Sequence, residues 1–146
     1  MLIMVSRMEV MLTMISLDLA KKAVDAAMAK AQETGIAVSV AVVDEHGTLV
    51  CLSRMDGALP VSVKFATVKA ATAGMLGMPT AQIAQFAVPG KPFNGLDSLL
   101  GGELTTIAGG VPVMLEGKLA GGIGVGGSAD LGQDVSCAEA AVKAIS

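Results

Sequence analysis

Apolar residues in the first third of the chain recur with two periods, one typical of a helix and one typical of a strand. Over residues 17–34 they fall on one helical face, with Ser16 as the predicted N-cap. Residues 36–43 form an apolar, β-branched run of the kind found in strands. Because residues 44–47 have the composition of a tight turn, residues 48–54 are predicted to return as the second strand of a hairpin.

The same two patterns continue to the end of the chain and add further helices and strands. Pro79 stands where proline favours the start of a helix. The other predicted elements are a strand over residues 10–15, helices over residues 60–75 and 79–86, a loop over residues 88–99, strands over residues 104–108, 111–115 and 118–125, and a final helix whose N-cap is Ser128 or Asp130. Residues 1–9 are expected to be a poorly structured leader.

This order of elements, β-α-β-β-α-α-β-β-β-α, predicts an α/β chain of the α+β kind. Strands joined by hairpins pair antiparallel, and the amphipathic helices must cover the sheet to bury their apolar faces. The sequence shows no internal repeat or linker, so we expect a single domain over residues 1–146.

Composition adds an expectation about assembly. Hydrophobic residues make up 53% of the chain, charged residues make up 16%, and the mean hydropathy is +0.68. Charged residues are about 25% of an average soluble domain, and a chain this short has too much surface to bury so many apolar side chains within itself. We therefore expect a homo-oligomer, in which a second copy covers the excess apolar surface.

Composition also argues against several classes of function. Arg7, Glu9 and Asp18 interrupt the apolar N-terminal stretch, so we expect neither a membrane span nor a secretory signal, and we predict a cytoplasmic location. A net charge of −3 with 2% aromatic residues disfavours a nucleic-acid partner. Cys51 and Cys137 have no C-x-x-C spacing and are expected to be free thiols, and one histidine is too few for a metal site.

The glycine run at residues 121–127 has two interpretations. Gly122, Gly124 and Gly127 match G-x-G-x-x-G between a strand and a helix, which is the setting of a phosphate-binding turn. A dinucleotide fold would need a further parallel strand with an acidic residue, and only one helix follows. The glycines either let the strand pack closely on a helix or a neighbouring subunit, or Gly124, Gly126 and Gly127 form an anion seat at the start of the last helix.

Polar residues of the first hairpin are the first candidates for chemistry. His46, the only histidine, follows Asp44 and Glu45 in the hairpin loop and is either solvated or a catalytic base. Arg54 and Asp56 lie between the second strand and the next helix. They either form a salt bridge that fixes this corner, or Arg54 faces an anionic ligand with Asp56 holding it.

Lys69 and Thr72 are the candidates on the second predicted helix, one turn apart. Lys69 could bind a carboxylate of a ligand. Thr72 interrupts the apolar stripe and either lines a cavity or bonds back to a helix carbonyl. The ten methionines are either core packing or a soft apolar surface that holds a flat cofactor.

Five motifs, found in the same order, resemble the GlcG/HbpS-like family, which includes the C-terminal domains of PduO-type proteins. They are VSVAVVD at residues 38–44 with Gly47, LSRMDG at 52–57, KAATA at 69–73, GGVPV at 109–113 and GGIGVGG at 121–127. The resemblance extends over residues 15–145, and it rests on the combination because each motif alone is weak.

The resemblance implies a three-layer α-β-α domain, similar to profilin, with a central antiparallel sheet, and assembly into homo-oligomers that are often octamers. Some members bind haem, some are described as degrading it or sensing redox state, and others belong with glycolate, glycerol or propanediol use. In a haem-sensing member the helix matching residues 69–73 belongs to the haem site, which implies that Lys69 and Thr72 are ligand residues. The N-terminal histidine ligand of haem-binding relatives has no counterpart, since His46 lies in a later hairpin.

Three functional hypotheses follow from the residues and the resemblance together. The first is an accessory protein that binds haem, another tetrapyrrole or a small anionic ligand through Arg54, Asp56, Lys69 and Thr72. The second is an enzyme that acts on haem or a small hydroxy compound with His46, Asp44, Asp56 and Lys69. The third is an assembly protein without a ligand of its own.

Overall fold

The computed structural model describes residues 14–146, which form four helices, four strands and two short 3₁₀ helices. The helices are α1 (Leu17–Thr34), α2 (Ser62–Leu76), α3 (Thr80–Ile83) and α4 (Leu131–Ile145); the strands are β1 (Ser39–Asp44), β2 (Leu49–Arg54), β3 (Gly110–Leu115) and β4 (Lys118–Gly126); the 3₁₀ helices are Ala84–Phe86 and Leu96–Gly102. The predicted leader and most of the predicted strand over residues 10–15 lie outside the described residues.

The strands form one antiparallel sheet in the order β2-β1-β4-β3. Two hairpins, β1–β2 and β3–β4, lie side by side, and β1 pairs with β4 in the centre, where Val42 faces Ile123 across the ladder. The carboxylate of Asp44 accepts the backbone N–H groups of His46 and Thr48 and closes the first hairpin. The antiparallel sheet with helices confirms the predicted α+β class.

Helices cover both faces of the sheet and make three layers. On one face α1 and α4 pack against each other and on a core that includes Val40, Val42, Ile123 and Val125. On the other face α2 lies across β4 and β1, where Ala66 and Ala70 meet the small side chains of β1. The predicted α-β-α layering is therefore confirmed.

Glycines on one face of β4 allow α2 to lie almost on the strand backbone. A Cβ atom at Gly124 would collide with the carbonyl oxygen of Ala66, and one at Gly122 would collide with the carbonyl oxygen of Ala70. A Cβ atom at Gly126 would collide with the Cβ atom of Phe65. Close packing of the strand on a helix, one of the two interpretations of the glycine run, is what the structure contains.

The helix caps follow the sequence closely. Ser16 accepts the N–H of Leu19 at 3.1 Å at the start of α1, and Gly35 ends that helix with a φ of 80°. Asp130, one of the two predicted caps, accepts the N–H of Gly132 at 2.9 Å at the start of α4.

The predicted strand over residues 104–108 is wrong, because its backbone is bonded to side chains and not to a neighbouring strand. The N–H of Thr105 donates to Oγ1 of Thr72 at 2.9 Å, and the N–H of Ile107 donates to Oγ1 of Thr105 at 3.1 Å. The bond to Thr72 holds the segment against α2 instead of the sheet. The helix predicted over 79–86 is α-helical only at Thr80–Ile83 and continues as a 3₁₀ turn, while Ile15, in the first predicted strand, is buried but not in a strand.

Candidate functional site

A pocket of about 260 Å³ opens where the β4–α4 connection passes the N-terminal half of α2. Two charged side chains, Lys69 and Asp134, form its floor, and Ser128 contributes to its wall. Its rim is made of partly exposed apolar side chains, namely Leu59, Val61, Phe65, Ile107 and Leu131. We call this the Lys69 pocket; it suits a ligand somewhat smaller than a typical drug, since the pockets that bind drug-sized ligands measure ~300–1,000 Å³.

Lys69 lies on the sheet side of α2 and is only 2% exposed. Its Nζ donates to the carbonyl oxygen of Val125 at 2.9 Å and to Oδ2 of Asp134 at 3.1 Å. Gly109 passes next to the same ammonium with a φ of 124°, and a Cβ there would lie 2.9 Å from Nζ. The glycine thus leaves the space that the buried lysine fills.

Asp134 lies in the first turn of α4 and is 1% exposed. Besides the ion pair with Lys69, its Oδ1 accepts the N–H of Ser128 at 3.2 Å. Burial raises the pKa of Asp134 above its ordinary value of 3.8, while the charge of Lys69 and the two hydrogen bonds act in the opposite direction. The carboxylate is therefore held in the pocket floor against a desolvation cost.

The ammonium of Lys69 retains one donor for a ligand. It carries three N–H groups, and the described residues give it two acceptors. Nζ also lies 5.9 Å from the centroid of the Phe65 ring, which stands at the rim. The pocket can therefore offer a hydrogen bond at its floor and an aromatic face at its side.

Arg54 and Asp56 lie outside the Lys69 pocket. Arg54 ends β2, one of the two edge strands of the sheet, where it pairs with Ser39, and its side chain is exposed like that of Asp56. Among residues 14–146 no ion pair joins the two, so the salt bridge that was one interpretation of this corner is absent from that part of the chain. The role of Arg54 and Asp56 as ligand residues stays a prediction, and they would not share the pocket of Lys69.

Thr72 is buried and structural. Its Oγ1 donates to the carbonyl oxygen of Val68 at 2.7 Å, which confirms the predicted bond back to the helix, and it accepts the N–H of Thr105. It does not line the pocket. The proposal that Lys69 and Thr72 act on one ligand is therefore not supported by their positions.

The anion seat predicted at Gly124, Gly126 and Gly127 is only partly open. Gly124 and Gly126 face the backbone of α2, whereas Gly127 lines the Lys69 pocket. The nearby N–H groups of Ser128 and Gly132 already donate to the carboxylates of Asp134 and Asp130. An anion bound by these two N–H groups would have to displace a carboxylate of the chain itself.

His46 stays at the tip of the first hairpin, away from the pocket. Its Nε2 is 3.3 Å from Oε1 of Glu45, and its side chain is 77% exposed. The structure therefore does not bring the candidate catalytic pair His46 and Asp44 together with Lys69. Solvation, the simpler of the two interpretations of this histidine, is what its exposure shows.

The pocket fits haem in one respect and not in another. Its apolar rim suits the edge of a flat ring, but its lining holds no histidine, methionine, cysteine or tyrosine, the usual iron ligands. Within residues 14–146 no three His, Cys, Asp or Glu side chains are grouped as a metal site would need. None of the helices in the same residues is long and apolar enough to cross a membrane.

Asp134 is the site residue that the sequence analysis missed, although a signal for it was present. It stands in the apolar stripe of the last helix, three residues after Leu131 and four before Ala138. A carboxylate on the buried face of a helix needs a buried partner. Lys69 was the matching cation on another helix, but the sequence did not show that α2 and α4 approach the same end of β4.

Comparison with known proteins gives a consistent family match. The model of the family described as "Haem degrading protein HbpS-like" matches residues 15–143. The corrinoid adenosyltransferase PduO of Salmonella typhimurium is 39% identical over 121 residues, which are 82% of this chain but 35% of that protein. The chain thus spans about a third of the length of PduO.

Two further relatives match over nearly their whole length. An uncharacterised 15.0 kDa protein from the dhaT–dhaS intergenic region of Citrobacter freundii is 36% identical over 132 residues, which are 90% of this chain and 92% of that protein. The crystal structure of a PduOC–haem complex has a TM-score of 0.84 at 35% identity and covers 90% of this chain and 95% of that chain.

Proposed function

This chain belongs to the HbpS-like family, and from that membership together with the Lys69 pocket we propose that it binds a small, largely apolar ligand with one polar end. The polar end meets the ammonium of Lys69, and the apolar body lies against Phe65 and Leu131. The observation that carries the proposal is a buried lysine with a spare N–H at the floor of an apolar opening.

Burial makes the spare N–H of Lys69 worth more than an exposed one. In water a free N–H gains little from a ligand because it already bonds to solvent. At the floor of an apolar pocket the same bond replaces a poorly hydrated donor and forms in a lower dielectric. The exposed apolar rim then contributes about 25 cal/mol for each Å² that a ligand removes from water.

The test is a titration with an uncharged fluorescent probe, N-phenyl-1-naphthylamine. We expect a saturable rise in fluorescence with the wild-type protein. Leu131→Glu, which places a charge on the rim, is expected to lower the affinity for the probe roughly tenfold or more. Leu49→Glu is the matched control, because Leu49 is 49% exposed against 46% for Leu131 but lies on β2, outside the pocket.

Either of two outcomes would count against the proposal. One is the absence of saturable binding by the wild-type protein. The other is an equal loss in Leu131→Glu and Leu49→Glu, which would place the probe on general apolar surface and not in the Lys69 pocket.

Haem is a second candidate, favoured by the relative whose structure is a haem complex. Since the pocket lining lacks an iron ligand, a tetrapyrrole in this pocket would be held by its ring edge. Hemin and iron-free protoporphyrin IX should then bind with affinities within about threefold of each other. Hemin binding more than about tenfold tighter would mean that an iron ligand outside the pocket governs binding.

The wider role of the chain is proposed from its relatives and its surface. PduO and the GlcG proteins among its relatives support an accessory role in the use of propanediol or glycolate; the link to glycerol stays a prediction. The exposed apolar rim of the pocket supports a homo-oligomer. Octameric assembly and a cytoplasmic location remain proposals that follow from the family resemblance and the composition.

A further inference from the structure

The floor of the Lys69 pocket carries no net positive charge, because Asp134 is paired with Lys69. Oδ2 of Asp134 lies 3.1 Å from Nζ, and both side chains are almost completely buried. Asp130, at the start of the same helix, adds a second carboxylate close enough to act on the charge of Asp134. Lysine alone would favour an anion, but this arrangement does not.

A carboxylate entering the pocket would lose its hydration without gaining a free cation. An ionised group that leaves water for an apolar site needs an opposite charge and hydrogen bonds in return. Here the only buried cation among the described residues already has its partner, and the second ligand oxygen would approach Asp134. Electrostatic repulsion and desolvation therefore act together against an anionic end.

A neutral carbonyl oxygen meets neither obstacle. It needs one donor, and Lys69 has one N–H that the described residues leave without an acceptor. The bond would be charge-assisted, which makes it stronger than one between neutral groups. Because the carbonyl carries no charge, the ion pair beneath it is left intact.

We infer that the Lys69–Asp134 pair makes this pocket select ligands whose polar end is an uncharged carbonyl, as in a ketone or an aldehyde, over ligands that end in a carboxylate. This inference rests on the proposed function, since it names the ligand class of the same pocket. It replaces the expectation that Lys69 binds an anion.

Three probes of similar size and one ring separate the possibilities: acetophenone has a carbonyl, benzoate has a carboxylate, and ethylbenzene has neither. Each is titrated into the ¹⁵N-labelled protein while the amide signals of Ser128 and Ile107 are followed. We expect acetophenone to bind the wild-type protein roughly tenfold tighter than ethylbenzene, the value of one hydrogen bond to a charged group. Benzoate should bind at least about tenfold more weakly than acetophenone.

Substitution of Asp134 tests the origin of that selectivity. Asp134→Asn removes the negative charge while keeping the side-chain shape, so the affinity for benzoate is expected to rise roughly tenfold. Asp130→Asn is the matched control: it removes an equal charge from the same helix start, asparagine caps helices as well as aspartate does, and Asp130 makes no ion pair with Lys69. In the Asp130→Asn variant the gain in affinity for benzoate should stay below about threefold.

The affinities of the wild-type protein for the three probes distinguish a failure of this inference from a failure of the proposed function. Equal affinity of the wild-type protein for acetophenone and ethylbenzene, or tighter binding of benzoate, would overturn the inference and leave the pocket as a ligand site. No shift with any of the three probes would overturn the proposed function as well. If Asp134→Asn fails to fold, the ranking of the three probes by the wild-type protein still decides.

Discussion

Lys69 owes its buried position to two acceptors that other elements fix in place. Val125 belongs to the central strand β4, and Asp134 belongs to the first turn of α4. A buried ion pair contributes little net stability when both partners are present, because the Coulomb attraction mainly offsets the desolvation cost. Removal of only one of the two partners destabilises the protein, since the remaining charge is left buried without a partner.

Lys69→Met should therefore destabilise the protein by about 3–5 kcal/mol, measured as the free energy of unfolding in urea. Adding Asp134→Asn to the same variant removes the orphaned charge and should restore about 2 kcal/mol or more of that loss. If the double variant were as unstable as the single one, packing of the lysine stem and not charge would explain the effect.

The titration of Asp134 gives the stability a pH dependence of definite sign. Burial raises the pKa of Asp134 above 3.8, the value expected in the unfolded chain. Between that value and the raised pKa, the folded protein keeps a proton that the unfolded chain has lost. This carboxyl therefore makes the free energy of unfolding fall as the pH rises through that window and become constant above it.

Unfolding experiments on wild-type and Asp134→Asn protein across that window measure this contribution. The stability of the wild-type protein relative to the variant should decrease with rising pH and then level off. A relative stability that increases with pH would mean that the charge of Lys69 outweighs burial and lowers the pKa of Asp134.

At the scale of elements, the packing of α2 on β4 determines where Lys69 reaches. Gly122, Gly124 and Gly126 share the face of β4 that α2 covers, and their missing side chains let the helix backbone touch the strand. The amine of Lys69 can reach the carbonyl of Val125 on this strand because the helix lies so close. The glycine run thus contributes to the site indirectly, because it lets the helix that carries Lys69 pack closely on β4.

Gly124→Ala should lower the free energy of unfolding by about 3 kcal/mol, because the new Cβ would meet the backbone of Ala66 and Ala70, which cannot move without displacing α2. Gly132→Ala is the control in α4: its Cβ would meet only the side chain of Asp130, and alanine favours helix. Chemical denaturation of both variants checks this, and similar stabilities would contradict the proposed close packing.

Local signals of the sequence were sufficient for most elements but not for contacts between distant residues. Ser16, Gly35 and the first hairpin were predictable because caps and turns depend on a few neighbouring residues. The segment over residues 104–108 has the composition of a strand, yet its backbone bonds to Thr72, 33 residues earlier. The Lys69–Asp134 pair spans 65 residues, so its geometry likewise depended on the packing of helices that the sequence does not show.

At the scale of the whole molecule, apolar surface remains uncovered on residues 14–146. Large hydrophobic side chains are exposed at the pocket rim, on the edge strands and in the segment before β3, for example at Leu59, Met114 and Leu100. Where such side chains lie together, as at the pocket rim, they are typical of a protein interface or a ligand site. This observation agrees with the expectation of a homo-oligomer from composition.

Light scattering coupled to size-exclusion chromatography tests the assembly. We expect a mass that is a multiple of the 14.6 kDa chain at micromolar concentration. A single species of the mass of one chain would contradict the proposed homo-oligomer, and the pocket would then have to function within one subunit.

The central claim is that the Lys69 pocket is the ligand site, and intermolecular nuclear Overhauser effects test it most directly. With acetophenone bound to protein carrying labelled methyl groups, we predict contacts from the ligand ring to the methyl groups of Ile107 and Leu131, which reach the rim from two different segments of the chain. Contacts confined to Leu99 and Leu100, which are exposed but outside the pocket, would contradict the claim.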